Sequence, residues 1–301
     1  MKIIKGNNVI FSFKPKMEPV QKVNPKEVFK VITNDCFYGQ ISSEEQTLDT
    51  LDYSRVNPAT GPIFVEGADP GDLLKVKILK IDIHSQGIGL TMGGQGILGN
   101  KATKTVTKIL PIENGHCRFN DIYLPIKPMI GVIGVAPSQE EGEFITATPW
   151  KHGGNMDTTD ICEGSTLYFP VVQEGALLAL GDLHGVMGDG EVCFTGCEIG
   201  GEVILQVDVI KGKTTTWPLL ETIDSTMIVG SGKTLEEAAE AATDQAVELL
   251  KKGLGLPWEE AYILASISMD LKISQVVNPN KTIRAAIPKT ILPTELLIQS
   301  I

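Results

Sequence analysis

Through roughly the first 215 residues, clusters of Gly, Pro, Asn and Asp interrupt apolar runs of strand length, and this punctuation commits most of the chain to strands and turns. "DPGDLLKVKILKIDI" (69–83) is a turn feeding a strand: Val76 and Ile78 alternate with lysines, then the apolar phase shifts to Leu79, Ile81 and Ile83. A β-bulge near Ile78 is the expected cause. "EVILQVDVI" (202–210) sets Val203, Leu205, Val207 and Val209 on one face, and its mixed second face predicts solvent or another sheet.

The texture changes after residue 215. "KTLEEAAEAATDQAVELLKKG" (233–253) carries Thr234 and Glu237 in capping-box spacing, an apolar stripe, then lysines and a terminal Gly253, which predicts a helix. "LPWEEAYILASISMD" (256–270), with Pro257 at the first helical position, predicts a second and more buried helix, and "TIRAAIPKTIL" (282–292) returns to strand. This order points to a mainly β or α+β fold, with a β-sandwich or barrel-like core and a C-terminal helical hairpin. "GPIFVEGADPGDLL" (61–74) and "LYFPVVQEGALLALGD" (167–182) echo one another, which raises the reading of a core built from duplicated units. The chain is read as one unit, 1–301, subdivided into an N-terminal β part (1–150), a site-bearing β part (151–215) and an α+β C-terminal part (216–301).

Charge and composition remove several function classes. A net charge of −11 with no Lys/Arg cluster argues against nucleic acid. Charges break the apolar run at the N-terminus, and no later span approaches the roughly 20 apolar residues a bilayer requires, so no membrane partner and a cytoplasmic location are expected. Five cysteines at scattered spacing suit a reducing compartment, each read first as a small buried apolar residue. "GQGILG" (94–99) satisfies a dinucleotide-binding pattern, but strand-like text follows where a helix should open. The six glycines between Gly87 and Gly99 instead suggest a lid.

Of only four histidines, two sit in glycine-rich loops full of carboxylates: "HGGNMD" (152–157) and "GDLHGVMGDGEV" (181–192). Asp182 and His184 are two apart and project to one face of an extended backbone, and Asp189 and Glu191 repeat the spacing. Imidazole with carboxylates is a donor set for a divalent ion such as zinc, and His152, Asn155 and Asp157 would complete the shell. The alternative is a simple turn with a hydrogen-bonded loop histidine. Asp35 and Glu66 are further contributors, while Cys193, Cys197 and Cys36 offer a competing thiol nucleophile.

"TNDCFYGQI", "NPATGPIFVEGADPGD", "HGGNMD", "LYFPVVQEGALLALGDLHGVMGDGEVCFTGCE" and "DLKISQVVNPNKTIRAAIPK", in that order along the chain, together resemble the acetamidase/formamidase family, in its compact bacterial and archaeal form. The resemblance implies hydrolysis of a short-chain amide to ammonia and a carboxylate, a β-rich fold and a homodimer or higher assembly. Chemistry and likeness together suggest that His184, Asp157 and either Asp35 or Asp182 hold the ion, with His152 in the same set. Zinc is the first expectation and calcium the alternative. Glu191 or Glu198 would move the proton, and Asn155 would stabilise the oxyanion. The competing function is a non-catalytic β-sandwich module holding a structural calcium.

Overall fold

Strands Leu73–Ile83 and Gly201–Ile210 pair antiparallel along their length and form the centre of a nine-stranded sheet. Ile204 pairs with Lys80 and Leu205 with Ile78, so Leu79 is the extra residue, and the bulge expected from the phase shift lies there. The computed structural model describes residues 1–46 and 50–301. Outward from this pair the sheet continues through Val28–Thr33 to Lys2–Ile4 on one side. On the other it runs through Thr166–Pro170, Leu219–Glu221, Ser225–Gly232 and Lys281–Pro288 to Asp270–Gln275 at the edge. It draws strands from all three stretches of the chain distinguished above.

An eleven-stranded sheet faces it. Its central strand, Leu178–His184, pairs with Met129–Gly134 on one side. On the other side it pairs first with Ala59–Val65 and then, at its end, with Glu198–Ile199. Val76, Ile78, Val203, Leu205 and Val207 from one sheet meet Ile63, Ile130, Leu180 and Leu183 from the other in the main core. The architecture is therefore a β-sandwich within a mainly β, α+β chain. Both sheets are open, so the barrel form is not adopted. The two echoing segments each cross between the sheets, and their turns bond one another, Gly175 N to Ala68 O and Val65 N to Gly175 O.

Helices cover the outer face of the nine-stranded sheet. Helix α1, Leu235–Leu254, starts at the predicted cap: Glu237 N–H donates to Thr234 Oγ1 at 3.1 Å, and the return bond to Glu237 Oε2 comes from Lys233 N–H, one residue before the cap, at 2.7 Å. Its end is two residues later than expected. Gly255, at φ +66°, is the left-handed cap, while Gly253 lies inside the helix, where a Cβ would stand 2.7 Å from Leu292 Cδ2. Helix α2, Trp258–Ser268, corrects a second expectation: only Ala261 and Ala265 are buried, and its large side chains are not. A short helix α3, Thr294–Gln299, closes the layer where the sequence suggested nothing. Among the described residues no helix is long and apolar enough to cross a membrane.

Candidate active site

Four neighbouring strands of the eleven-stranded sheet deliver most of the site. Gly153–Asn155 pairs with Met129–Gly134, which pairs with Leu178–His184, which pairs with Glu198–Ile199, His184 directly opposite Glu198. Asp157 follows the first strand, Asp182 and His184 lie on the third, and Glu198 opens the fourth. Glu191 enters from the loop between the third and fourth. The second strand contributes a space rather than a side chain: a Cβ on Gly131 would stand 2.5 Å from Asp157 Oδ1 and 2.8 Å from Asp182 Oδ2. Asp157, Asp182 and Glu191 all hold left-handed backbone, at φ +40°, +55° and +47°. Strain of order 1 kcal/mol or more at each is tolerated only where the surroundings over-determine it, as at functional sites.

His184 Nε2 stands 3.1 Å from Glu198 Oε2, 3.6 Å from Asp182 Oδ1 and 3.9 Å from Asp157 Oδ1, all of them buried. One donor atom from each of Asp157, His184 and Glu191 lies within 4.8 Å of the others, and the same holds for Cys36, Asp182 and Glu198. Burial pushes the Asp157 carboxyl up to about 6, with the Asp182 charge adding to it. Burial also raises Glu198 to about 8 and Glu191 well above the usual carboxylate range. Asp182 is held low despite its burial by the His184 imidazole beside it, and Glu198 and Asp182 hold His184 well above its usual value although burial opposes them. Four carboxyls around one imidazole need further positive charge, either protons or a cation.

The orientation of the donors fits a cation. Asp157 Oδ1, Asp182 Oδ1, His184 Nε2, Glu191 Oε2 and Glu198 Oε2 are buried without an aligned hydrogen-bond partner. Three of these side chains are held from behind: Asp157 Oδ2 accepts from Asn278 Nδ2 at 2.7 Å, Glu198 Oε1 accepts from Gly196 N–H at 2.8 Å, and His184 Nδ1 lies 3.2 Å from Met187 Sδ. A shell of such outer partners fixes the orientation of metal ligands.

Asp182, Glu191 and Glu198 form the polar end of a cavity of about 120 Å³, beside the side chains of Asn57, Asn155 and Asn278. Phe37, Leu51, Leu90, Met92 and Phe194 form its apolar walls. At roughly 30 Å³ per water in the liquid, this volume suits about four water-sized groups, well below a drug-sized site. A small polar molecule with a short apolar tail fits such a space.

Residues 5–145 and 141–294 match the profile of the Acetamidase/Formamidase family. The chain belongs to this family. The solved structure of a predicted acetamidase/formamidase from Thermoanaerobacter tengcongensis superposes with a TM-score of 0.94 at 47% identity, over 97% of each chain. An acetamidase structure from Bacillus halodurans gives 0.94 at 42% identity, over 97% of this chain and 99% of that one. A formamidase of Methylophilus methylotrophus is 27% identical across 94% of this chain and 89% of its own length. The chain is therefore an amidohydrolase acting on linear amide C–N bonds, rather than a non-catalytic binding module.

In this amidohydrolase the structure brings together Asp157, Asp182, His184, Glu191 and Glu198, with Asn155 in the cavity wall. It does not bring in Asp35, whose carboxylate accepts from the N–H groups of Phe37 and Gly39 and closes a turn. Its neighbour Cys36 reaches the cluster instead, with a thiol that burial and the charges of Asp182 and Glu198 push well above the usual range, the opposite of an activated nucleophile. Cys193 is exposed and Cys197 faces Cys117 at 3.7 Å, outside the cluster. Glu66 pairs with Lys22 on the surface. His152 is also outside: its ring is buried between Phe13 and Phe144, at centroid distances of 4.9 and 4.8 Å. The glycine-rich 87–99 segment is half strand, since Gln86–Thr91 pairs with Val106–Glu113, and its tip rests on Val192 through Ile97 N–H.

Asp189 does not repeat the role of Asp182. It accepts from the Nη1 and Nη2 atoms of the fully buried Arg284 at 3.1 and 2.6 Å, and Arg284 Nε reaches Asp160 at 3.2 Å. Asp160 closely follows Asp157 and Asp189 closely precedes Glu191, so one guanidinium ties together the two loops that carry these carboxylates. Asn278, Gly131, Cys36 and Arg284 were not singled out for these roles in the sequence, because each acts through neighbours far away along the chain.

Two predictions follow from this geometry. Arg284→Met should cost the fold of order 2 kcal/mol and speed amide exchange at Gly190, which donates to Ser274 O at 2.8 Å. Exchange at the wild-type rate would show that the guanidinium does not hold the loop. His152 is kept neutral, its pKa lowered to about 3 by burial. The unfolded chain therefore binds a proton first, and the stability His152 permits is full above about pH 6.5. It is lost as pH falls toward 3, by up to about 1.4 kcal/mol per pH unit. His152→Phe should flatten this acid limb in urea titrations, and an unchanged slope would contradict the neutral buried ring.

Proposed function

We propose that this amidohydrolase cleaves short aliphatic amides, formamide and acetamide foremost, in a reaction that depends on a divalent cation. The observation that carries the reading is the set of orphaned donor atoms: the carboxylates of Asp182, Glu191 and Glu198 line the polar end of a cavity of about 120 Å³, and the His184 imidazole and Asp157 lie against them. Acetamide is roughly that size, and its methyl group would meet the walls formed by Phe37, Leu90 and Phe194.

His184 with Asp157 and Asp182 would hold the ion, with Glu198 on the same imidazole. A histidine and a nearby thiol favour zinc over calcium, which prefers an all-oxygen cage. Such a cation would supply Lewis-acid polarisation of the amide carbonyl and lower the pKa of a water. Glu191 lines the cavity with Oε2 unpartnered, so it is placed to take the proton of an attacking water and to deliver it to the departing nitrogen. The amine is a poor leaving group until that proton arrives. Asn155 and Asn57 line the cavity, each with a buried unpartnered Oδ1 that would accept from the N–H groups of the substrate amide, while the Asn155 Nδ2 would donate to the developing oxyanion.

The test is ammonia release from formamide, acetamide and propionamide, before and after chelation and zinc restoration. Release that chelation abolishes and zinc restores is the expected result, with Glu191→Gln keeping its metal while losing about 10²–10⁴-fold in kcat. No release from any of the three by metal-loaded protein would sink the substrate assignment.

A further inference from the structure

Helix α2 is apolar around most of its circumference, yet only Ala261 and Ala265 are fully buried against the body of the protein, with Leu264 packed partly against it. Trp258, Tyr262, Ile263 and Ile267 are exposed, Ile267 by 76%. A helix of this composition normally has cover on more than one side. The exposed surface continues onto the strand that follows. Leu271 and Ile273 pair with Ala285 and Ile283, which belong to the helix-side core, so both project to the face that α2 occupies, and both are exposed. At about half exposure, with roughly 150–250 Å² for each of the two aromatic side chains and less for the four aliphatic ones, these six residues offer of order 500 Å². That is more than half of the roughly 800 Å² per partner of a stable complex, and at the upper end of the roughly 300–600 Å² that a monomer's largest apolar patch covers.

The strand itself, Asp270–Gln275, is the edge of the nine-stranded sheet. Gly190 covers its far end, donating to Ser274 O and accepting from Val276 N–H. Among the described residues nothing bonds the outer edge between Asp270 and Ile273. A bare edge beside an apolar patch is a template for another strand. The sequence there is self-complementary. In an antiparallel pairing about a two-fold axis at Leu271, Asp270 of one copy lies opposite Lys272 of the other, twice over. Neither residue has an ion-pair partner among the described residues.

We propose that α2 and the free half of the Asp270–Gln275 strand form an isologous interface with a second copy of this chain, joining two nine-stranded sheets edge to edge. A two-fold contact uses the same patch twice, which a self-complementary strand and one unshielded helix supply. The proposal is independent of the reaction assigned above.

The test is the mass in solution by light scattering at about 10 µM. The wild type should run as an even multiple of the chain, and Ile263→Glu/Ile267→Glu should run at half the wild-type mass with unchanged circular dichroism, since both residues are exposed. Asp270→Lys should weaken association at least tenfold by placing lysine opposite Lys272, and adding Lys272→Asp should restore it. A monomeric or odd-numbered wild type, or a double-glutamate variant of wild-type mass, would overturn the interface. Failure of the double charge reversal to restore association would overturn the Leu271 axis.

Discussion

Mutual repulsion among four buried carboxyls is the constraint around which the centre of this molecule is organised. Two ionised groups 4 Å apart repel by about 4 kcal/mol at an effective dielectric of 20, and Asp157, Asp182, Glu191 and Glu198 surround one imidazole at such distances. Left to itself, a flexible chain would relieve this by moving the groups into water. Adjacent strands prevent it by fixing His184 opposite Glu198 and by placing Gly131 where any side chain would collide with both aspartates. The left-handed residues and the Arg284 tie serve the same end, since they hold loops that would otherwise swing outward. What the frame cannot supply is positive charge, and the unpartnered donor atoms mark where a divalent cation would supply it.

The division of labour among layers follows from this. The nine-stranded sheet has a dry core on one face and helices on the other. Near one end of this sheet Ser274 and Arg284 touch the loops on either side of the cluster, and Cys36, just past Val28–Thr33, reaches it from another strand. The eleven-stranded sheet carries the candidate site, and its cavity opens between apolar walls that limit what can enter. Buried donor atoms fixed on adjacent strands beside a small cavity would provide the electrostatic preorganisation that the proposed hydrolysis requires.

Local physics was readable along the chain. The capping box of α1, the bulge in Leu73–Ile83 and the Asp182/His184 pair each depend on residues within a few positions of one another, and each is found where it was expected. The errors arose where local pattern met a distant neighbour. His152 has the residue type and glycine context of a ligand, but Phe144 stacks on its ring and Phe13, far away in sequence, packs tilted against the ring as well. Asp189 has the right spacing and is taken by Arg284. Gly253 ends the periodic run, yet Leu292 packs where its side chain would be. Helix α2 looked buried because apolar content reports a need for cover, not what provides it. Asn278 and Cys36 reach the cluster from segments whose turn-forming residues had a sufficient local explanation.

A divalent cation, rather than a set of retained protons, is proposed to balance the cluster. Anomalous diffraction at the zinc edge from crystals of the purified protein distinguishes the two. A peak among His184, Asp157, Asp182, Glu191 and Glu198, lost in His184→Ala, is expected. A fully active protein with no peak in that position, or a peak bound elsewhere and untouched by the substitution, would contradict it.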